Sequence, residues 1–164
     1  MARIEPAGPE HVRAVAALYV THASGGYATF DVEGLPESVW EERRRSDGPG
    51  DVLLVALGDD AAVLGFAWAH PYRPKPAYAS TREVAVYVDA AATGRGIGRA
   101  LYAELIDRAA AAGVHLLVAG VAEPNPASTR LHERMGFTRV GTMSEVGHKH
   151  GRYRDVTWWQ RRLG

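Results

Sequence analysis

The stretch Val86–Leu105, VYVDAAATGRGIGRALYAEL, passes from an apolar, strand-like segment through three glycines into a segment with helical spacing. A glycine-rich turn that opens a helix presents backbone N–H groups to an anion, and several cofactors carry phosphates. Spacing separates the candidates. A P-loop needs Gly, four residues and then Gly-Lys-Ser/Thr, and the chain contains no Gly-Lys pair. A dinucleotide fingerprint needs G-x-G-x-x-G, whereas Gly94-Arg95-Gly96-Ile97-Gly98-Arg99 spaces its glycines at every second position and ends on arginine. By itself the turn reads equally well as a loop that stops one element and starts the next, so the flanking segments decide.

Upstream, ARIEPA reads as a first strand, and GPEHVRAVAALYVTHA places Val12, Val15, Ala16, Leu18 and Tyr19 at helical spacing after a proline start. PESVWEERRRSD reads as a shorter helix, with Arg43-Arg44-Arg45 as a solvated face. DVLLVAL and AVLGFAWAH flank Gly58-Asp59-Asp60, a hairpin signal. REVAVYV is the strand that feeds the glycine turn, and Arg99–Ala112 the helix that leaves it. HLLVAGV reads as a buried strand and NPASTRLHERMG as a helix closed by Gly136; FTRVGTM and YRDVTWWQRRL form a last strand pair. The order is a mixed α/β arrangement with an antiparallel first half. Within REVAVYV, alternation sends Val84, Val86 and Val88 to one face and Glu83, Ala85 and Tyr87 to the other. A carboxylate and a phenol thus lie side by side, a pattern that an exposed sheet edge also produces.

At 164 residues the chain fits one domain, residues 1–164, and can bury roughly 70% of its unfolded surface without staples. It has no cysteine, which excludes disulfides, thiolate metal sites and a cysteine nucleophile. Nineteen basic and nineteen acidic residues leave no net charge, which argues against a general nucleic-acid or anionic-membrane binder. No eighteen-residue apolar run and no signal-like start occur, so a soluble, cytoplasmic protein is expected. His148-Lys149-His150 has no third ligand in sequence, and LHERMG lacks the second histidine of H-E-x-x-H; no metal is expected.

The order of elements, with VYV, the glycine turn and NPASTRLHERMGF, resembles the Gcn5-related N-acetyltransferases along nearly the whole chain. Within that superfamily the sequence is similar to the phosphinothricin acetyltransferase group. The shared patterns are ATF at Ala28–Phe30, AYxxTxExxVYV at Ala77–Val88, RLHExxGF at Arg130–Phe137 and KHGxxxDVxxWQ at Lys149–Gln160. The resemblance implies an α/β (α+β) fold with a mixed, mostly antiparallel central sheet flanked by helices, and acetyl-coenzyme A as co-substrate. It assigns the pyrophosphate to N–H groups of Gly94, Arg95, Gly96, Ile97, Gly98 and Arg99, and the pantetheine arm to the main chain of Val86, Tyr87 and Val88. Asn125 matches a cofactor-contacting asparagine and is equally an N-cap before Pro126. Thr93 stands where the superfamily usually has Gln or Arg, which keeps a donor and loses reach.

The chemistry requires a group that takes a proton from the attacking amine and one that gives a proton to the leaving thiolate. By the same resemblance Glu83 is the general base, directly or through water, and His132 the second proton handler, acid or base. On the residues alone, Glu83 reads as an edge glutamate paired to Arg82 or Lys75, and His132 as a packed histidine. Phe30, Arg73, Lys75, Tyr78 and Tyr87 match positions that line the acceptor pocket, with Arg73 or Lys75 available for a substrate carboxylate. The expected activity is acetylation of the α-amine of a small amino acid or amino-acid-like toxin such as phosphinothricin or methionine sulfoximine. Protein or peptide N-terminal acetylation needs an open groove instead of an aromatic pocket, and a non-catalytic coenzyme A-binding module would not need Glu83 or His132. Trp158 and Trp159, adjacent on one strand, face opposite ways; one is expected in the core and the other on a homodimer interface.

Overall fold

Arg3–Pro6 (β1), Val52–Leu57 (β2), Val63–Pro71 (β3) and Thr81–Val88 (β4) lie side by side in that order, each antiparallel to the next. In this computed structural model, which describes residues 2–164, Val12–Gly25 (α1) and Glu37–Arg45 (α2) intervene between the first two strands. The hairpin closes at Gly58, whose N–H bonds to Ala62 O at 2.9 Å. The chain then runs through Ile97–Ala111 (α3), Leu116–Ala122 (β5), Pro126–Arg134 (α4), Thr138–Lys149 (β6) and Arg152–Arg162 (β7). The seven-stranded sheet has the order β1-β2-β3-β4-β5-β7-β6, and only β4 and β5 pair in parallel among the described residues. A parallel pair needs a crossover, and α3 is that crossover.

Parallel pairing lasts three residues, Thr81↔Leu116, Arg82↔Leu117 and Glu83↔Val118; beyond Glu83 the strands part. Val84–Val88 therefore keeps its β3 ladder on one side and has no strand on the other. The same strand is covered on both faces, which removes the sheet-edge reading of Glu83 and Tyr87. Val84 packs with Ile97, Leu101, Leu105 and Leu117 beneath α3, while Ala85 and Tyr87 pack against Tyr19, Trp40, Phe66 and Trp68 beneath α1 and α2. Glu83 is not paired to Arg82, whose Nε lies 2.6 Å from Asp51 Oδ1 in a buried ion pair. Arg82 also donates to Ala79 O and Thr81 O, so the entry to β4 is anchored by one side chain.

Three departures from expectation have local causes. α3 begins at Ile97 rather than Arg99, because Gly96, at φ 79°, is the last left-handed residue and the helix starts directly after it. β6 was expected to end at Met143 but resumes: Met143 faces Val156 and Gly147 faces Arg154, so four steps on β6 match two on β7. Glu145 takes φ 52° in this bulge, and its N–H bonds to Asp155 Oδ1 at 2.7 Å. Arg43 is not part of a solvated face. Its guanidinium lies 4.7 Å from the ring centroids of both Trp40 and Trp68, while Arg44 and Arg45 pair with Glu41 on the outside.

Candidate active site

The parting of β4 and β5 joins two cavities. One, of about 610 Å³, runs from the glycine turn along Val84–Val88 and Ala119–Ala122 to the start of α4. The other, of about 800 Å³, lies among Phe30, Tyr72, Tyr78, Glu83 and Trp158. Val84, Ala85, Tyr87 and Gly120 border both, so the cavities meet between the strands.

At the turn, Gly94 and Gly96 have φ of 80° and 79°, and nothing lies within 4 Å of where their side chains would stand. The first amide bonded inside α3 is that of Ala100, 3.0 Å from Gly96 O, which leaves the N–H groups of Ile97, Gly98 and Arg99 without an intrahelical acceptor. Open space, free N–H groups and the positive end of a helix suit a pyrophosphate. The unpaired edge of Val84–Val88 suits an arm bearing amides, which completes a sheet as a peptide strand does. Asn125 caps α4 by accepting from Ser128 N–H at 3.1 Å, and its amide N–H₂ keeps two donors for the same cavity. The N-cap reading and the cofactor-facing position are thus compatible. Of the predicted turn residues, only Arg95 is outside the cavity lining; its side chain is exposed.

Glu83 occupies the last position of β4 paired to β5, where the strands begin to part, and among the described residues its side chain makes no hydrogen bond or ion pair. Beside it the larger cavity has an aromatic wall. Tyr87 stacks on Phe66 and Trp68, with centroids 5.5 and 5.3 Å away, and meets Tyr19 edge-on at 5.3 Å. Burial pushes the Tyr87 phenol well above its ordinary range, so it is neutral. Tyr72 meets Tyr78 at 5.5 Å and Trp158 at 6.4 Å. Trp158 is thereby half-buried in the cavity wall instead of standing free on the surface, while Trp159 is in the core, as one of the pair was expected to be. Phe30, Arg73, Tyr78 and Tyr87 line this cavity; Lys75 is exposed outside it.

His132 lines the cofactor-side cavity and does not border the aromatic one. Its Nδ1 is 2.8 Å from Ser128 O and must donate to it, so Nε2 accepts from the Tyr102 hydroxyl at 3.0 Å. Burial lowers the ring's pKa, partly offset by the Ser128 carbonyl, and fixes a neutral imidazole with both nitrogens engaged. Tyr102, buried on α3, was not singled out by the sequence, where it is one residue of the helical segment after the glycine turn. His22 was also missed; its Nε2 lies 3.1 Å from Val88 O on the cofactor side, and burial lowers its pKa. Among the described residues no group of three or more His, Asp or Glu side chains can hold a metal ion, and no helix is long and apolar enough to cross a membrane.

Residues 14–137 match the acetyltransferase (GNAT) family. A phosphinothricin N-acetyltransferase of Streptomyces coelicolor is 43% identical over 164 residues, 98% of this chain and 96% of that protein. An L-methionine sulfoximine/L-methionine sulfone acetyltransferase of Pseudomonas paraeruginosa is 34% identical, over 99% of this chain and 95% of its own. The crystal structure of a phosphinothricin acetyltransferase from Sinorhizobium meliloti in complex with acetyl-coenzyme A superposes with a TM-score of 0.94 at 34% identity, covering 99% of this chain and 89% of that one.

Proposed function

Because the chain belongs to the acetyltransferase (GNAT) family, an acetyl-coenzyme A-dependent N-acetyltransferase fold, we propose that it acetylates the α-amine of a small amino acid or amino-acid-like toxin of the phosphinothricin or methionine sulfone type. The observation that carries this reading is the meeting of the two cavities beside Glu83, with the acceptor side walled by aromatic rings. The relatives named for these acceptors support the substrate class.

Bound in the cleft, acetyl-coenzyme A supplies a thioester whose C–S bond breaks as the C–N bond to the amine forms. The Gly94–Arg99 turn and the free edge of Val86–Val88 hold it by main-chain hydrogen bonds, with Asn125 adding an amide. Glu83 takes the proton that the amine must lose, directly or through one water; among the described residues no hydrogen bond or ion pair engages its side chain. A coenzyme thiol resembles a cysteine thiol, of pKa about 8.5, and departs without a strong acid. His132 therefore acts through Tyr102, whose hydroxyl it holds in place on the cofactor side of the cleft. Arg73, at the mouth with its guanidinium 4.9 Å from the Tyr72 ring centroid, is the cation for the acceptor carboxylate.

The test is release of coenzyme A thiol by the purified protein across L-methionine sulfone, methionine sulfoximine, phosphinothricin, the proteinogenic amino acids and an N-terminal peptide. The highest kcat/KM is expected among the sulfone, sulfoximine and phosphinic analogues. Turnover of the peptide alone overturns the acceptor assignment.

The reading extends to assembly and place. Val140, Met143 and Val146 are 61%, 50% and 49% exposed on the sheet's edge strand and rim the acceptor cavity, an apolar mouth that a second copy would cover. The homodimer rests on this patch and no longer on Trp158. Light scattering at micromolar concentration is expected to give twice 17.7 kDa, and a mass that stays at 17.7 kDa on concentration rules the dimer out. The reaction is assigned to the cytoplasm, in keeping with a chain free of cysteine.

A further inference from the structure

Lys149 is a buried cation that the chemistry above leaves unused. It ends β6 at 3% exposure, and its Nζ donates to three backbone carbonyls: Ala23 O at 2.5 Å, Asp31 O at 2.7 Å and Thr29 O at 2.9 Å. An ammonium has three protons, so its donors are all used. The acceptors belong to the last turns of α1 and the loop behind it, and Thr29 and Asp31 bracket Phe30. No backbone–backbone hydrogen bond anchors residues 28–35 among those described, so this loop depends on side chains for its place.

The other side-chain contacts converge on the same short segment. Tyr19 has one hydroxyl proton and gives it to Asp31 Oδ2 at 2.5 Å, so Thr29 Oγ1 donates to Tyr19 at 2.6 Å. His150 meets Gly26 O at 3.2 Å. Two residues before Lys149, a methyl group at Gly147 would overlap the Phe30 ring, so the ring is seated on bare β6 backbone. Lys149 itself borders neither cavity.

We infer that Lys149 is a positioning residue for acceptor recognition: by clamping the carbonyls on either side of Phe30, it fixes that ring against Gly147 as one wall of the acceptor cavity. Its influence falls on the acceptor more than on the coenzyme, because within residues 28–35 only Ala28 borders the cofactor cavity. The inference rests on the reading of this cavity as the acceptor site.

Lys149→Met keeps the alkyl stem and removes the donors. In the full chain, amide hydrogen exchange over residues 26–35 is expected to rise about tenfold while α3 and β5 are unchanged. KM for L-methionine sulfone should rise about tenfold, with KM for acetyl-coenzyme A within about twofold of wild type. Gly147→Ala, which unseats Phe30 and leaves the clamp intact, should reproduce the selective rise in acceptor KM. A rise shared equally by both substrates, or no change in either variant, overturns the proposal. If Lys149→Met does not fold, Gly147→Ala decides by its acceptor KM. If wild type does not acetylate the sulfone, the acceptor assignment fails, and the exchange measurement still reads the clamp: unaltered exchange over residues 26–35 overturns it independently.

Discussion

Glu83 and His132 illustrate how differently two residues of the same motif set are placed. Glu83 lines the acceptor cavity one residue before Val84, which borders both cavities, and its side chain has no hydrogen bond or ion pair among the described residues, whereas His132 has both nitrogens committed. Glu83→Gln keeps the shape and removes the proton acceptor. It is expected to lower kcat/KM by about 10²- to 10⁴-fold, most near neutral pH where the amine is still protonated, with coenzyme affinity unchanged. Equal rates across pH would assign the base elsewhere. His132→Ala should cost less, because a thiolate leaves readily. At this scale most of the residues singled out by the motifs line one of the two cavities, yet Arg95 and Lys75 turn outward and Trp158 turns inward. Which way a long side chain points is decided by neighbours distant in sequence, and no local pattern carries that information. Arg43 had a local signal, since Trp40 lies three residues earlier on the same helix face, but the run of three arginines concealed it.

Elements were legible where period and punctuation agreed: the hairpin at Gly58, the helix after the glycine turn and the helix closed by Gly136 all formed. The bulge in β6 was not, because a strand that loses register and regains it looks in sequence like a strand that ends. Nor was the buried Arg82–Asp51 pair, whose partners are 31 positions apart and which ties the start of β4 to the loop before β2. Both side chains are 4% exposed, so removing one leaves a buried charge uncompensated. Asp51→Ala is expected to destabilise the fold by about 3–5 kcal/mol in denaturant titration. A loss below ~1 kcal/mol would mean that the Ala79 and Thr81 carbonyls alone satisfy Arg82.

For the molecule as a whole, the buried His132 and the half-buried His22 set an acid limit. Burial lowers the pKa of both His22 and His132 in the folded state, so the unfolded chain takes up protons first as pH falls. Stability contributed by these groups is complete above the unfolded value of about 6.5 and is lost as pH drops from there through their folded values. Melting temperature should fall over that range, with a shallower slope in His132→Gln; an identical slope would exclude His132 as a source. Acetyl-coenzyme A at 100 times Kd should add roughly 2.7 kcal/mol of stability. Gly96→Asp, which tolerates a left-handed backbone but brings a negative charge, should abolish that gain, and its survival would remove the turn from the binding site. The brief β4–β5 ladder gives this gain a mechanical sense. Between the halves β1–β4 and β5–β7–β6 the sheet has three paired positions and then an open seam. A coenzyme laid along that seam, as proposed, would supply the missing rungs and stitch the two halves together, so that the emptied enzyme would be a looser hinge than the loaded one.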